Sequence, residues 1–313
     1  MLDNMRELNL FHIPNHVIDT SKWDHALHDS GVVEFEEAFA DFVGAKYACS
    51  ISSATNAIFL AFLNKSVTVN VPSIIPPVVL NALINGGNEI NFTDDVDWVG
   101  NSYILHHFDD YKIIDSAQKV QKNQFSIEAN PEDLMFFSFY PTKPISGLDG
   151  GMIVSDDFDK IQHFKESVLN GMSYAKDNWD RKIKFPGWKM YLNSFQAEFA
   201  NSNLNTYETK LLRLGEVRNF YNSELGYKNT SDHLYRIRVS DNKEAMRKLK
   251  ESNIVCGIHY QPMHIHPVYS GNKEFDCPNS LEIAKTTLSI PFNECLNFAE
   301  MNYIVEKVKE LSK

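Results

Sequence analysis

The chain is poor in cysteine, with four thiols in 313 residues, at positions 49, 256, 277 and 295. That spacing makes neither a close-set metal knuckle nor a dense disulfide framework, so free, mostly buried thiols are expected. No apolar run approaches the roughly 18 to 20 residues that span a bilayer. The opening MLDNMRELNLFHIPN also lacks a basic stretch followed by an apolar core. A cytoplasmic, unprocessed protein with no membrane partner is predicted. Positive charge is scarce too: 30 basic against 41 acidic residues leave a formal net charge of −11, the wrong sign for gripping nucleic acid. The motifs G-x-G-x-x-G and G-x-S-x-G do not occur, and there is no internal repeat or low-complexity tract. Dinucleotide loops, nucleophile elbows and repeat architectures are thereby set aside.

With 43% hydrophobic and 23% charged residues, the chain has material for one large domain and a smaller companion, or two comparable ones. The first 30 residues, rich in His, Asn and Asp, read as an extended arm. Phe35, Ala38, Phe39 and Phe42 then fall at helical spacing, and Gly44 supplies a stop. Strand and helix alternate through KYACSI, TNAIFLAFLN, VTVNVP, PVVLNALIN and EINF, which is the pattern of a mostly parallel sheet covered by helices. Four short apolar runs follow: SYILHHF, YKIIDSA, LMFFSFY and GGMIVSD. After a helix through IQHFKESVLNGM, a long helix is predicted over about 193–225. It carries Phe195, Phe199, Leu204, Leu211, Leu212 and Leu214 as packing positions. A small α+β unit closes the chain, with strands HLYRIRVS, NIVCGIHY and TTLSIP. The expected division is a large domain over 1–228, comprising the arm and the long bridging helix, and a small domain over 229–313.

Three segments carry chemistry. In ISSATNAIFLAF a strand ends in Ser52, Ser53 and Thr55 as a helix begins; hydroxyls there suit a phosphate or act as ordinary N-caps. Asp115 closes an apolar run in YKIIDSAQKV and should emerge at the carboxyl edge of a central strand, as a site residue or as a cap. Lys143 follows a buried strand between Pro141 and Pro144. It is either a solvated surface lysine or an amine freed for Schiff-base chemistry by lost solvation. Together, a phosphate cup, an acid and a lysine fit one cofactor, pyridoxal 5′-phosphate. His259, His264 and His266, with His106 and His107 elsewhere, lack a carboxylate or cysteine at ligand spacing, so no metal is expected.

At this point the chain resembles the DegT/DnrJ family of PLP-dependent sugar aminotransferases, in six blocks taken in the family's order. They are FEEAFADFVGAKYACSISSATNAIFLAF, VNVPSIIPPVVLNALINGGNEINFTDD, IIDSAQ, FFSFYPTKPISGLDGGMIVSDD, GWKMYLNSFQAEFA and GIHYQPMHIHPVY. The resemblance implies an α/β fold like that of aspartate aminotransferase (PLP type I), with a mostly parallel central sheet and a small α+β C-terminal domain. It implies that Lys143 binds the coenzyme aldehyde and shuttles a proton, that Asp115 pairs with the pyridine nitrogen, and that Gln118 lies against the phenolic oxygen. Ala54, Thr55 and Ser138 would hold the phosphate, and Tyr260 and His264 would touch substrate. It also implies a homodimer with shared active sites, glutamate as donor, and a keto sugar, nucleotide-linked in the family's usual case, as acceptor for surface polysaccharides or glycoconjugates.

The chain departs from the family pattern in four places. Ala54 replaces a cup glycine. Ile75 and Pro76 stand where an aromatic ring usually stacks on the cofactor, so aliphatic packing is expected there. In GWKMY, Lys189 replaces the phosphate-contacting Asn that the other subunit donates and is expected to bind the cofactor phosphate in its place, and Tyr191 replaces an Arg. Only about 20 residues join FTDD to IIDSAQ, too few for the family's further strand and helix. Two alternatives accompany the aminotransferase reading: a PLP-dependent sugar dehydratase, against which Lys143 argues because those enzymes avoid the covalent lysine link, and a non-catalytic sugar-nucleotide-binding regulator.

Overall fold

The structure, a computed structural model, describes residues 6–22, 30–173, 182–271 and 273–311; the rest of the expected arm, at 1–5 and 23–29, lies outside them. Helix α1 (Ser30–Val43) buries Val32, Phe35, Phe39, Ala40 and Val43, the face that helical spacing of apolar residues dictates. Strand β1 (Tyr47–Ile51) leads into α2 (Ala54–Phe62), capped by Ser53, whose side chain accepts from Asn56 N–H. Next come β2 (Thr68–Pro72), α3 (Pro77–Asn85) and β3 (Glu89–Thr93). Then β4 (Tyr103–His107), β5 (Lys112–Asp115), α4 (Gln124–Glu128), β6 (Leu134–Ser138) and β7 (Gly151–Ser155) follow.

A five-stranded sheet has the order β1-β7-β6-β5-β4, and β2 and β3 form a separate parallel pair. In the larger sheet β1, β5 and β6 run one way, whereas β7 and β4 run the other. The short link between EINF and IIDSAQ is filled by β4, which folds back on β5 as a hairpin closed by Phe108 N–H to Tyr111 O. A hairpin needs only a tight turn, while a parallel crossover needs a dozen residues or more.

The alternation of side chains along each strand sorts them into two cores. Leu134 and Phe136 lie in one with Ile51, Ile113 and Ile153; Met135 and Phe137 lie in the other with Phe35, Phe39, Met152 and Val154. Each such fully buried side chain contributes roughly 1.5–3 kcal/mol. Both faces of the sheet are therefore covered, as the apolar runs β6 and β7 require.

Helix α5 (Phe158–Val168) precedes α6 (Ser194–Asn205) and α7 (Tyr207–Leu225). The single helix expected over 193–225 is thus two, broken at Thr206, whose hydroxyl turns back to the carbonyls of Ser202 and Asn203. Phe199, Leu204 and Leu214 are buried as expected and Leu211 packs at the core's edge, but Phe195 and Leu212 are exposed.

The C-terminal part comprises β8 (Tyr235–Arg238), α8 (Asn242–Glu251), α9 (Pro267–Ser270), α10 (Pro278–Thr286), β9 (Thr287–Ile290) and α11 (Phe298–Glu310). NIVCGIHY is not a third strand of the β8–β9 ladder: it makes only isolated bridges, Ile254 to Leu8 and Gly257 to Ser289. The third core joins residues of this region to Leu8 of the arm and to Leu214, Val217 and Tyr221 of α7. Among the described residues no helix is long and apolar enough to cross a membrane. All four thiols are free; Cys49 and Cys277 are buried and Cys295 is exposed.

Candidate active site

The carboxyl ends of β1, β5 and β6 open on a cavity of about 330 Å³. Asp115, the last residue of β5, projects into it, 6% exposed. Its Oδ1 accepts from Ala117 N–H at 2.9 Å and its Oδ2 from the Tyr103 hydroxyl at 3.0 Å. Burial pushes its pKa up, while those two donors and the Lys143 ammonium hold it down. Lys143 reaches the same space from the turn after β6, where its own N–H bonds Tyr140 O. Burial lowers its pKa to about 8, with the Asp115 charge opposing. This amine is free far more often at neutral pH than an ordinary lysine.

The start of α2 also lines this cavity. Ala54 and Thr55 line it, and as first-turn residues their N–H groups have no intrahelical acceptor, so they present partial positive charge. Strand β7 comes so close here that a Cβ on Gly151 would sit 2.6 Å from Ala54 N. Ser138 ends β6 beside them and lines the cavity. An anion-ready helix terminus, a buried carboxylate and a low-pKa lysine on one cavity match the phosphate, ring nitrogen and aldehyde of pyridoxal phosphate.

Gln118 is oriented by hydrogen bonds of fixed polarity. Gly100 N–H donates to its Oε1 at 2.8 Å, so its Nε2 donates to the Tyr260 hydroxyl at 2.9 Å. Tyr260 stacks on Trp98, with centroids 6.0 Å apart and planes 9° apart, and Trp98 also contacts Tyr103. Trp98 lines the cavity with its Nε1 buried and without a partner.

Some expectations need correcting. His264 does not line the cavity: it is buried, its Nδ1 bonded to Ser73 Oγ, near the Phe92 ring. The histidines at the cavity are His233 and His259. Burial, then the Lys143 charge, lowers both, His259 to about 4 and His233 well below the usual range, so both are neutral at pH 7. Ile75 is buried in the core, leaving Pro76 with Val78 and Val79 as the aliphatic wall. Lys189 does not line this chain's cavity; it is exposed, on a segment tied to the cup by Ser52 N–H to Met190 O. Phe11 of the arm, stacked on His233 at 5.2 Å, was not singled out by sequence reasoning. Neither were Trp98, Tyr103, His233 or the cavity role of His259; only the aromatic density of 98–111 hinted at the first two.

A profile of the DegT/DnrJ/EryC1/StrS aminotransferase family matches residues 13–94 and 129–309. The chain belongs to this family. Its members are pyridoxal-phosphate-dependent aminotransferases, and the residues around this cavity fit that cofactor. The family description and the names of its relatives support the aminotransferase class. Among curated relatives, the spore coat polysaccharide biosynthesis protein SpsC of Bacillus subtilis is 27% identical over 348 aligned positions, covering 90% of each chain. The UDP-4-amino-4,6-dideoxy-N-acetyl-beta-L-altrosamine transaminase of Campylobacter jejuni is 26% identical, covering 89% of this chain and 91% of its own. Among solved structures, the aminotransferase TlmJ of Streptoalloteichus hindustanus superposes with a TM-score of 0.79 at 18% identity, covering 97% and 98% of the two chains, which shows the fold. The stretch that the family profile leaves unmatched, 95–128, holds Trp98, Tyr103, Asp115 and Gln118.

Proposed function

We propose that this aminotransferase takes its amino group from glutamate and passes it to the keto group of a nucleotide-linked sugar, for surface polysaccharide or glycoconjugate synthesis. The observation carrying this reading is the placement of Lys143 and Asp115 on one cavity with the α2 terminus. When bound, pyridoxal phosphate supplies an electron sink for the carbanion formed at the amino-bearing carbon. In our reading Asp115 keeps the ring nitrogen protonated, and Ala54, Thr55 and Ser138 hold the phosphate. Lys143 Nζ anchors the cofactor, then moves a proton on the face it vacates. Gln118 donates its remaining N–H toward the phenolic oxygen. Tyr260, whose oxygen already accepts from Gln118, keeps its own proton to donate to substrate.

The names of the relatives support the acceptor class: one is called for a UDP-linked amino sugar and another for a spore coat polysaccharide. We further propose a cytoplasmic homodimer in which Lys189 faces the partner subunit's cofactor phosphate, and a division of each chain near 228–229. The test is a pair of half-reactions. Holoenzyme mixed with glutamate alone should release one equivalent of 2-oxoglutarate per chain and lose its visible cofactor band. A panel of nucleotide-linked keto sugars should then restore the band. Restoration only by free keto acids, or no 2-oxoglutarate at all, would overturn the acceptor or the donor respectively.

A further inference from the structure

The β8–β9 ladder turns one face to the third core and the other away from it. Tyr235 and Ile237, paired with Ile290 and Leu288, point into the core, so Arg236 and Arg238, paired with Ser289 and Thr287, alternate onto the outer face. There they border a second cavity, of about 270 Å³, which Lys228 and Asp97 also line. Three cations thus face one carboxylate.

Arg238 has partners: Thr286 Oγ1 at 2.7 Å and Glu282 at 3.5 Å. Arg236 differs. Its Nη1 is buried with no hydrogen-bond partner, the Thr287 hydroxyl oxygen is in the same condition, and both residues line this cavity. No ion pair reaches the Arg236 guanidinium among the described residues. Burial works against its charge, Asp97 offsets part of that, and Arg238 adds repulsion. A largely buried charge without a directly paired counter-charge is costly, and native folds leave few such groups without an ion or water to satisfy them.

We propose that this cavity is a binding site for a phosphate-type oxyanion, held by Arg236 with Lys228. A doubly charged oxyanion matches two cations without a direct carboxylate partner better than a single carboxylate does, and the cavity has room for a group esterified to it. The site lies behind the catalytic wall. Ser289, the ladder partner of Arg236, bonds His259 Nδ1 at 2.9 Å, and the Arg236 charge acts on both His259 and Tyr260. Occupancy therefore changes the charge felt along one side of the active site, whatever the donor and acceptor prove to be.

Calorimetric titration of the holoenzyme, whose cofactor occupies the α2 terminus on the function proposed above, tests this in low-salt buffer free of phosphate. Inorganic phosphate should bind saturably at one site per chain, and Arg236→Gln should weaken it by about tenfold or more. Lys228→Ala should weaken it by a few-fold, and Arg236→Lys should keep part of the affinity; the surface variant Lys228→Ala still reads the site should the Arg236 variants fail to fold. A nucleoside monophosphate binding more tightly than inorganic phosphate would mean that an esterified ligand is the natural occupant, and equal binding would mean free phosphate. Absence of saturable binding, or equal binding by wild type, Arg236→Gln and Lys228→Ala, overturns the proposal.

Discussion

Tyr103 stands directly across the β4–β5 ladder from Asp115 and donates its hydroxyl to Asp115 Oδ2 at 3.0 Å. Residues paired across antiparallel strands point to the same face, so a hairpin in this register delivers the phenol to the carboxylate. Tyr103→Phe keeps the ring against Trp98 and removes only the donor. A hydrogen bond to a charged group contributes about 1.5–3 kcal/mol. Because that bond helps hold Asp115 down, its loss should raise the Asp115 pKa and weaken cofactor retention by about tenfold or more. Absorbance titration of the apoprotein with pyridoxal phosphate at several pH values measures this, and unchanged retention would show the bond to be incidental.

The lowered pKa of Lys143 makes a prediction with a definite sign. With a value of about 8, roughly a tenth of the amine is unprotonated at pH 7, and most of it at pH 9. The rate at which apoprotein captures the coenzyme aldehyde, followed by stopped-flow absorbance, should climb through that window and level off above it. Asp115 opposes the shift, so Asp115→Asn should move the profile to lower pH. A profile still rising steadily beyond pH 10 would mean that the amine is solvated.

How much of this is visible in the sequence depends on how local the cause is. Lys143 and Asp115 can be read because each follows an apolar strand, and strand ends of an α/β sheet converge on one edge. Ser53 can be read because capping is a one-turn event. Tyr103 cannot, since its reach depends on β4 running against β5, which follows from the tight turn at Phe108–Tyr111 rather than from any feature of YILHH. His264 misleads for a similar reason: the Pro-rich loop holds several histidines, and only packing decides that His259 faces the cavity while His264 turns to Ser73. NIVCGIHY has strand composition, but its backbone partners are split between Leu8 and Ser289.

Gly151 packs against the start of α2, the terminus proposed to hold the phosphate. A methyl group there would meet Ala54 N at 2.6 Å and Phe137 O at 2.9 Å, both backbone atoms. Gly151→Ala should displace the start of α2 and cut cofactor affinity more than it lowers thermal stability. Melting curves of apo and holo forms separate the two: the holo-minus-apo gap should shrink. An unchanged gap would mean that this terminus does not hold the phosphate.

Gly100 orients Gln118 from a backbone at φ +90°, and a Cβ would lie 2.7 Å from Ser231 Oγ. Gly100→Ala should cost roughly 1–3 kcal/mol of stability. It should also free the Gln118 carboxamide, shifting the cofactor absorption maximum if Gln118 contacts the phenolic oxygen. A destabilised protein with an unshifted spectrum would remove Gln118 from that role.

The most direct test concerns the covalent link itself. Holoenzyme reduced with borohydride, digested and mapped by mass spectrometry should carry the phosphopyridoxyl group on Lys143, and Lys143→Ala should carry none while still folding. Label on another lysine, or an unlabelled wild-type protein, would contradict the account.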